Sequence, residues 1–290
     1  MNRIISMCLY GTEERYWRTF LASFLANRIA FKDFGIRLYA SYDVEGHPQA
    51  RLLDIMTEVW PDVFECIMVP GPYPGKEPSI WRLRPFWDPS VDIFLSRDCD
   101  AVPIRQEVVA VRAWLETDLP IHGMRSYHLH TCLLMAGLCG FRNAGMDDIR
   151  ARWGTFDDML EEYNTITKNY KEGAFGGDQE LLNMLFGARL GDILDTPICT
   201  AKPLSVHWNM LPDLRYEAVD MSDVPPALFE ITEPPTLSNY GEFPGFSGKP
   251  IGELRKEVVS MMERIETPDT AKLKKLFIDH PDIAAYYYAA

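Results

Sequence analysis

Short apolar runs alternate with amphipathic stretches along the N-terminal third of the chain. The apolar runs are rich in aliphatic and aromatic residues and end at glycine, proline or polar residues, which is typical of buried strands. The stretches between them repeat apolar residues at helical spacing, and Thr12 is the expected N-cap of the first. The predicted strands are 3–10, 35–41 and 63–69, and the predicted helices are 13–29 and 48–59. This order predicts an α/β fold, a mostly parallel twisted sheet with helices on both faces.

A fourth apolar run, 91–95, leads into Asp98-Cys99-Asp100. In an extended chain the side chains at i and i+2 point to the same side, so Asp98 and Asp100 are expected to converge. Two convergent carboxylates repel each other unless a cation lies between them. Mg²⁺ or Mn²⁺ takes oxygen ligands and leaves coordination positions open for phosphates. The alternative for this pair is a solvated turn after the strand.

The ends of the other strands extend this prediction. Ligands of open α/β sheets bind beyond the carboxyl ends of the strands. Gly11 and Asp43 follow the first and second predicted strands, so they are expected to face the same crevice as the aspartate pair. The Pro- and Gly-rich stretch 70–78 follows the third strand and is a loop and a candidate lid.

The alternation of helices and strands continues to about residue 210. The predicted helices are 104–116, 156–165 and 180–188, and the predicted strands are 119–124 and 193–200. From about residue 212 Pro, Gly and acidic residues dominate, and two amphipathic segments follow at 251–265 and 270–278. We therefore predict a main domain at 1–210 and a C-terminal appendage at 211–290 that packs on it.

Composition narrows the possible ligands. With 290 residues and a formal net charge of −13, the chain has no basic surplus for nucleic acid or an anionic membrane surface. An anionic ligand must then be held by a metal or by clustered arginines. The six cysteines form no CxxC pair, which predicts reduced thiols. No signal peptide and no apolar run of membrane-spanning length is seen, so we expect a soluble cytoplasmic protein.

Four arginines flank the acidic pair in the sequence: Arg82, Arg84, Arg97 and Arg105. A guanidinium group suits bidentate capture of phosphate, although each arginine alone could equally form a surface salt bridge. Arg82 ranks first, because the tryptophan before it could anchor the turn.

Histidines offer further candidates. His207 is either a buried structural histidine or a third metal ligand from a distant segment, since imidazole suits Mn²⁺ better than Mg²⁺. The end of the fifth predicted strand carries a polar cluster, His122, Arg125, His128 and His130. Without a cysteine pair, we expect these residues to contact substrate and not to bind zinc.

Two other segments point towards the crevice. Asp178 follows two glycines at a helix start, so it is either a plain N-cap or a carboxylate aimed into the crevice as a base or as an acceptor of sugar hydroxyls. The small residues of 136–140 would let the backbone approach a ligand closely.

Several of these blocks, in this order, resemble a family of little-described GT-A-type glycosyltransferase-like proteins found in viruses, microbes and eukaryotes. The matching blocks are Trp81-Arg82-Leu83, Asp88 to Asp100, Arg105 to Leu115, His122 to His130, Ala136 to Gly140, Asp178 to Leu182, and His207. The resemblance covers roughly residues 1–210. It departs from the family pattern at Ala101, Ser126, Tyr127, Ala136 and Cys139, mainly where an acceptor would bind.

The resemblance implies a metal-dependent glycosyltransferase that uses a nucleotide-diphosphate sugar, with a UDP-sugar expected, and a hydroxyl of a glycan or small acceptor. Asp98, Asp100 and His207 would hold Mn²⁺ (or Mg²⁺), and Asp178 would be catalytic. The implied donor contacts are Leu9, Tyr10, Gly11, Asp43, Arg82, Arg97 and Asp98. The implied acceptor and sugar contacts are His122, Arg125, His130, Ala136, Gly137 and Gln179.

Alternatives stay open at this point. A sugar-phosphate nucleotidyltransferase usually carries a glycine-rich basic loop after the first strand, whereas 11–15 here is acidic and poor in glycine. A non-catalytic nucleotide-sugar-binding protein is the second alternative. The sequence leaves the donor sugar, the acceptor, the oligomeric state and the inverting or retaining course undecided.

Overall fold

The computed structural model describes residues 2–70, 77–125, 134–167, 177–194, 204–208, 219–232 and 251–288. Seven strands form one sheet in the order β3-β2-β1-β4-β6-β5-β7. The strands are β1 (Arg3–Leu9), β2 (Gly35–Ser41), β3 (Phe64–Val69), β4 (Ile93–Arg97), β5 (Ile121–Arg125), β6 (Leu138–Arg142) and β7 (Leu204–Trp208). Strand β6 runs antiparallel to β4 and β5, and the other neighbours are parallel. The predicted α/β class with a mostly parallel sheet is confirmed.

Helices connect and cover the strands. They are α1 (Glu14–Ala30), α2 (Arg51–Val59), α3 (Glu77–Ile80), α4 (Arg105–Leu115), α5 (Asp147–Trp153), α6 (Phe156–Thr167), α7 (Gly177–Leu194), α8 (Pro226–Thr232), α9 (Ile251–Arg264), α10 (Pro268–Asp279) and α11 (Pro281–Tyr288). Short 3₁₀ helices span Tyr42–Gly46, Trp81–Trp87 and Asn143–Gly145. Within the described residues, no helix is both long and apolar enough to cross a membrane.

Side-chain alternation along the strands divides the core into two faces. In β1, Ile5 and Met7 pack against α1, α2, α4 and the C-terminal helices, a side that we call the α1 face. Ile4 and Cys8 pack against the 3₁₀ helix Trp81–Trp87 and helices α5 to α7, which we call the α7 face. Because successive strand residues point to opposite sides, a sheet covered on both faces has almost continuously apolar strands.

Strand β6 was not predicted from the sequence. It begins within the small-residue segment 136–140, where we expected the backbone to approach a ligand closely. Its antiparallel register places Gly140 opposite Leu95 of β4, where the absence of a side chain leaves room for the Trp114 ring. Ile193 and Leu194 of the predicted strand 193–200 belong instead to the end of α7, and residues 195–200 lie outside the described residues, as do 71–76 of the candidate lid.

Helices α9 to α11 share the α1-face core. Asp269 accepts a hydrogen bond from Trp60 Nε1 at 2.8 Å, and its other oxygen lies 3.3 Å from Arg28 Nε. Tyr287 is buried, and its hydroxyl donates to the Trp17 carbonyl at 3.3 Å. These helices therefore cover the outer side of α1.

Candidate functional site

The carboxyl ends of β1 and β2 meet at one edge of the sheet. Gly11 has φ 72°, a conformation that favours glycine, and its N–H donates to Asp43 Oδ2 at 3.1 Å. Tyr10 and Tyr42, which precede Gly11 and Asp43 in the sequence, are both exposed. Leu9 is fully buried in the α1-face core, so only its backbone can meet a ligand.

Arg82 is held between two carboxylates at the same edge. Its Nη1 donates to Asp98 Oδ1 and its Nη2 to Asp178 Oδ2, although Asp178 is 96 residues away in the sequence. Arg82 is only 4% exposed. Burial alone would lower its pKa, but the charges on Asp98 and Asp178 raise the pKa of Arg82 well above its ordinary value. Arg82, Asp98 and Asp178 together therefore carry one net negative charge. The Asp98 side chain is 41% exposed, so this charge is accessible to solvent.

Aromatic packing fixes the backbone that carries Arg82. Trp81 and Leu83, on either side of it, are fully buried on the α7 face. In the same 3₁₀ helix, the Phe86 ring lies 4.8 Å from Phe94 and 4.5 Å from Phe141, centroid to centroid. Trp81, which was expected to anchor this turn, thus lies in the core. Arg82 beside it extends towards the strand ends and contacts Asp98.

Asp178 lies in the first turn of α7, and its side chain is 9% exposed. Its Oδ1 accepts the N–H of Gln179 at 2.9 Å, and Oδ2 accepts from Arg82. Tyr163 donates its hydroxyl to the carbonyl of Gly177 at 3.0 Å, which ties α6 to the start of α7. The carboxylate therefore does more than cap a helix: it is one half of the buried clamp on Arg82.

Gly137 lies directly against the Asp98 carboxylate. A Cβ added at Gly137 would be 2.2 Å from Asp98 Oδ2 and 2.7 Å from its Cγ, so no side chain fits while Asp98 keeps this position. The turn that brings the glycine here is closed by Leu138 N–H donating to Met135 O at 2.8 Å. The carbonyl of Ala136 accepts the Ser96 hydroxyl. The backbone at Gly137 thus approaches Asp98 closely, and the approach of this segment to a ligand stays a prediction.

Asp100 is held from the other face of the sheet. Arg15 Nη2 lies 3.0 Å from Asp100 Oδ2, and Cys99 between the two aspartates is buried. Burial and then the charge on Asp98 raise the pKa of Asp100, and Arg15 offsets only part of this effect. The two carboxylates are therefore near enough to repel, but the chain turns after Arg97 and each has its own arginine.

A divalent cation fits the chemistry of this pair. Asp98 and Asp100 supply hard oxygen ligands. Their negative charges, together with that of Asp178, are only partly neutralised by Arg82 and Arg15, so the site favours a cation. Among the described side chains, no group of three His, Cys, Asp or Glu residues could enclose a metal ion, so the aspartates would supply part of a coordination shell. The backbone of His207 lies in β7 opposite Met124 of β5, and its side chain lies outside what the structure describes.

Two predicted site residues point away from this cluster. Arg97 is buried on the α1 face, where its Nη2 lies 2.8 Å from Glu107 Oε2. His122 is also buried, and its ring stacks on Trp114 at 5.5 Å between centroids. Strand alternation is the physical reason, because Arg97 must face the opposite side from its neighbours Ser96 and Asp98. A direct ligand contact by either side chain has no support in this geometry.

The other predicted residues lie around the edge or outside the described part. Arg84 sits over the Phe156 ring at 4.3 Å, and Arg105 sits over the Phe229 ring at 4.6 Å. Gln179 is half-buried beside Asp178. Arg125 ends β5, with its side chain outside the description, and His128 and His130 lie among the residues that are not described.

Arg15 is the site residue that the sequence analysis missed. It lies in the first turn of α1, just after the end of β1, and helix starts that follow parallel strands face the ligand crevice. That position was a usable signal. The predicted N-cap at Thr12 was wrong, since the cap residue is Glu13 and no side chain caps the helix among the described contacts.

The fold and site together define an α/β protein with three carboxylates and two arginines clustered at the carboxyl edge of its sheet. No protein-family model matches the chain, and no curated protein matches it. The glycosyltransferase GlyE of Streptococcus pneumoniae TIGR4 is among the similar solved structures, with 17% identity and TM-score 0.40. That match covers 84% of this chain and 66% of GlyE.

Two further solved structures are similar in the same range. An active-site mutant of LgtC is 11% identical with TM-score 0.43, covering 83% of this chain and 100% of LgtC. The 4-diphosphocytidyl-2C-methyl-D-erythritol synthase of Anaerococcus prevotii DSM 20548 is 14% identical with TM-score 0.37, covering 77% and 95%. The chain spans about two thirds of the length of GlyE. At these identities and TM-scores, the similarities establish neither a family nor an activity.

Proposed function

We propose that the chain is a metal-dependent glycosyltransferase that moves a sugar from a nucleoside-diphosphate donor, with UDP as the nucleotide, to a hydroxyl of a glycan or small acceptor. The observation that carries the proposal is the clamp of Arg82 between Asp98 and Asp178, beside a second carboxylate at the carboxyl edge of the sheet. The order of the sequence blocks that resemble glycosyltransferase-like proteins supports the same reaction class.

In this proposal Asp98 and Asp100 hold Mn²⁺ (or Mg²⁺), and His207 is the third protein ligand. The cation, when bound, supplies Lewis-acid stabilisation of the departing nucleoside diphosphate. Arg82 adds a fixed positive charge at the same edge, and its burial keeps that charge from rearranging during the reaction. Tyr10, Gly11 and Asp43 at the ends of β1 and β2 would receive the nucleoside.

The reaction forms a bond between the acceptor oxygen and the anomeric carbon, while the bond from that carbon to the diphosphate oxygen breaks with its electron pair. In an inverting reaction the acceptor proton goes to a general base, and we assign this role to Asp178. In a retaining reaction Asp178 and Gln179 position the sugar. Because Arg82 occupies one oxygen of Asp178, the base role requires a proton transfer to the remaining lone pair of Oδ1, which also accepts the N–H of Gln179 at 2.9 Å.

A screen of nucleotide-sugar donors for nucleoside-diphosphate release tests the proposal. We expect release from one or more UDP-sugars with Mn²⁺, loss of release with a chelator, and recovery on adding Mn²⁺. Calorimetry with UDP and Mn²⁺ provides an activity-independent measurement. If UDP binding is the same with and without Mn²⁺, the metal-diphosphate proposal is wrong.

The same assays separate the alternatives. A sugar-phosphate nucleotidyltransferase would release pyrophosphate from a nucleoside triphosphate, and the acidic segment Gly11–Arg15 disfavours this interpretation. A non-catalytic nucleotide-sugar-binding protein would bind UDP with Mn²⁺ and release no diphosphate from any donor and acceptor pair.

A further inference from the structure

Arg15 differs from the other arginine beside the aspartate pair in how firmly it is held. Its side chain is 37% exposed, whereas Arg82 is enclosed and uses both terminal nitrogens on carboxylates. Arg15 donates from Nη2 to Asp100, and its guanidinium carbon lies over the Tyr16 ring, 5.5 Å from the centroid. Within the described residues its buried Nε has no hydrogen-bond partner. A guanidinium group has five N–H donors, so most of the donor capacity of Arg15 is unused by the described contacts.

The partner of Arg15 is also the group that a cation would take. Arg15 occupies Asp100 Oδ2, and a divalent cation on Asp100 repels a guanidinium group 3.0 Å from that oxygen. A cation and Arg15 therefore compete for one carboxylate. Because the arginine is partly exposed and on a long side chain, it can move away, whereas the enclosed Arg82 cannot.

The displaced side chain has an anionic partner close by. Three carboxylates and two guanidinium groups leave one net negative charge among Asp98, Asp100, Asp178, Arg82 and Arg15, which opposes a diphosphate. A divalent cation reverses that sign, and a phosphate bound to it would lie within reach of the guanidinium group that left Asp100. Arginine forms bidentate hydrogen bonds to phosphate oxygens, and the α1 helix dipole adds positive potential on the same side.

We propose that Arg15 is a transferable counter-ion: it holds Asp100 until a divalent cation binds the aspartate pair, and it then binds a phosphate of the nucleoside diphosphate. This inference rests on the proposed metal-diphosphate site. It names Arg15 as a phosphate-binding residue and predicts that the cation must bind before Arg15 becomes available.

Calorimetry on three proteins tests this order: the wild type, Arg15→Gln, and Arg51→Gln as the control. Arg51 forms an exposed ion pair with Asp282 at 3.1 Å, so its substitution removes the same charge from the surface. The probes are Mn²⁺ alone and UDP at saturating Mn²⁺. For Arg15→Gln we expect tighter Mn²⁺ binding, because its competitor is gone, and about tenfold weaker UDP binding, because a charged hydrogen bond is lost. Arg51→Gln should match the wild type in both.

The outcomes are separable. If the wild type itself shows no Mn²⁺-dependent UDP binding, the proposed function fails before Arg15 is tested. If the wild type binds but Arg15→Gln binds Mn²⁺ more weakly, Arg15 is a fixed support for Asp100 and the transfer is wrong. Unchanged UDP affinity in a folded Arg15→Gln also overturns it. Arg15→Lys keeps the charge, so it should retain most of the UDP affinity and provides a second test if Arg15→Gln unfolds.

Discussion

An arginine–carboxylate site lies on each face of the sheet at the end of strand β4, and the two sites differ in charge balance and exposure. On the α1 face, Arg97 pairs with the single carboxylate of Glu107, and both side chains are enclosed in the core. On the α7 face, Arg82 serves two carboxylates, and one of them, Asp98, is partly open to solvent. The first site is neutral and closed, and the second is negative and open.

A buried arginine therefore does not by itself mark a functional site. In a buried arginine–carboxylate pair the two charges neutralise each other and neither group is accessible to a ligand. Removing one partner therefore mainly lowers the stability of the protein. Carboxylates that outnumber their arginines at a strand end repel one another, and a bound cation reduces that repulsion. Such a cluster can therefore bind a cation. Substitutions at the two sites should therefore differ in whether they change stability or ligand binding.

Arg97→Met should produce the largest loss of stability. Glu107 would keep its buried charge with only the Ile104 N–H, 3.2 Å from Oε2, as a hydrogen-bond partner, and breaking a buried pair in this way costs about 3–5 kcal/mol. Denaturant unfolding measures the loss. The double variant Arg97→Met/Glu107→Leu should recover most of it, because the charge is removed as well. If Arg97→Met is as stable as the wild type, Arg97 does not stabilise the buried charge of Glu107.

Asp98→Asn should lower activity and leave stability nearly unchanged, the opposite of Arg97→Met. It removes the surplus charge from the α7-face cluster and keeps the side-chain shape, so the unfolding midpoint should change little. UDP release should fall by about a hundredfold or more, comparable to the loss of a main electrostatic contact in other enzymes. The steady-state rate of the donor identified in the screen is the readout. Retained activity in this variant would remove Asp98 from the proposed mechanism.

Gly137→Ala should weaken Mn²⁺ binding by moving the Asp98 carboxylate away from its place. Gly145→Ala is a matched control, because its added Cβ would lie 2.5 Å from Pro120 Cβ, at a comparable clash. Both substitutions should destabilise by about 1–3 kcal/mol through overpacking. Only Gly137→Ala should also lower Mn²⁺ affinity. If displacing the Asp98 carboxylate costs as much as losing one charged contact, the affinity should fall by about tenfold. Equal Mn²⁺ affinities in the two variants would rule out this positioning role.

The smallest effect is a pH dependence at Asp100. Its pKa is raised from 3.8 by burial and by Asp98, so the folded protein binds the proton more tightly than the unfolded chain does. The ionised carboxylate is therefore destabilising above the raised pKa, and this penalty disappears as the pH falls towards 3.8. Asp100→Asn should be slightly more stable than the wild type at neutral pH, with the difference shrinking on acidification. Unfolding curves at several pH values, without added metal, give the sign.

The first four strands and the residues at their ends could be predicted from the sequence, because each strand is a short apolar run with a clear boundary. Strand β6 could not, since Leu138–Arg142 is short, contains a glycine and pairs antiparallel inside a parallel sheet. The misplacement of Arg97 was avoidable. The alternation rule that puts Ser96 and Asp98 on the α7 face also puts Arg97 on the other face. It does not extend to Asp100, which Arg15 contacts from the other face of the sheet.

The site was predictable in its residue types more than in its contacts. Asp98, Arg82 and Asp178 were each selected from local patterns. Their assembly into one clamp depends on packing between segments that are far apart, and no local pattern encodes the 96 residues that separate Arg82 from Asp178. Arg15 was missed because only arginines near the acidic pair in sequence were considered, whereas the contact spans 85 residues.

The packing of α11 on α1 has a consequence for how the protein is made. Tyr286 donates its hydroxyl to Glu14, beside Arg15, across 272 residues of sequence. During synthesis α1 emerges early, yet the helices that cover its outer side follow near the end of this sequence. Between the synthesis of α1 and that of α9 to α11, the outer side of α1 must therefore stay uncovered, and such exposed apolar surface is what chaperones bind. Expression yield should accordingly depend on chaperone supply.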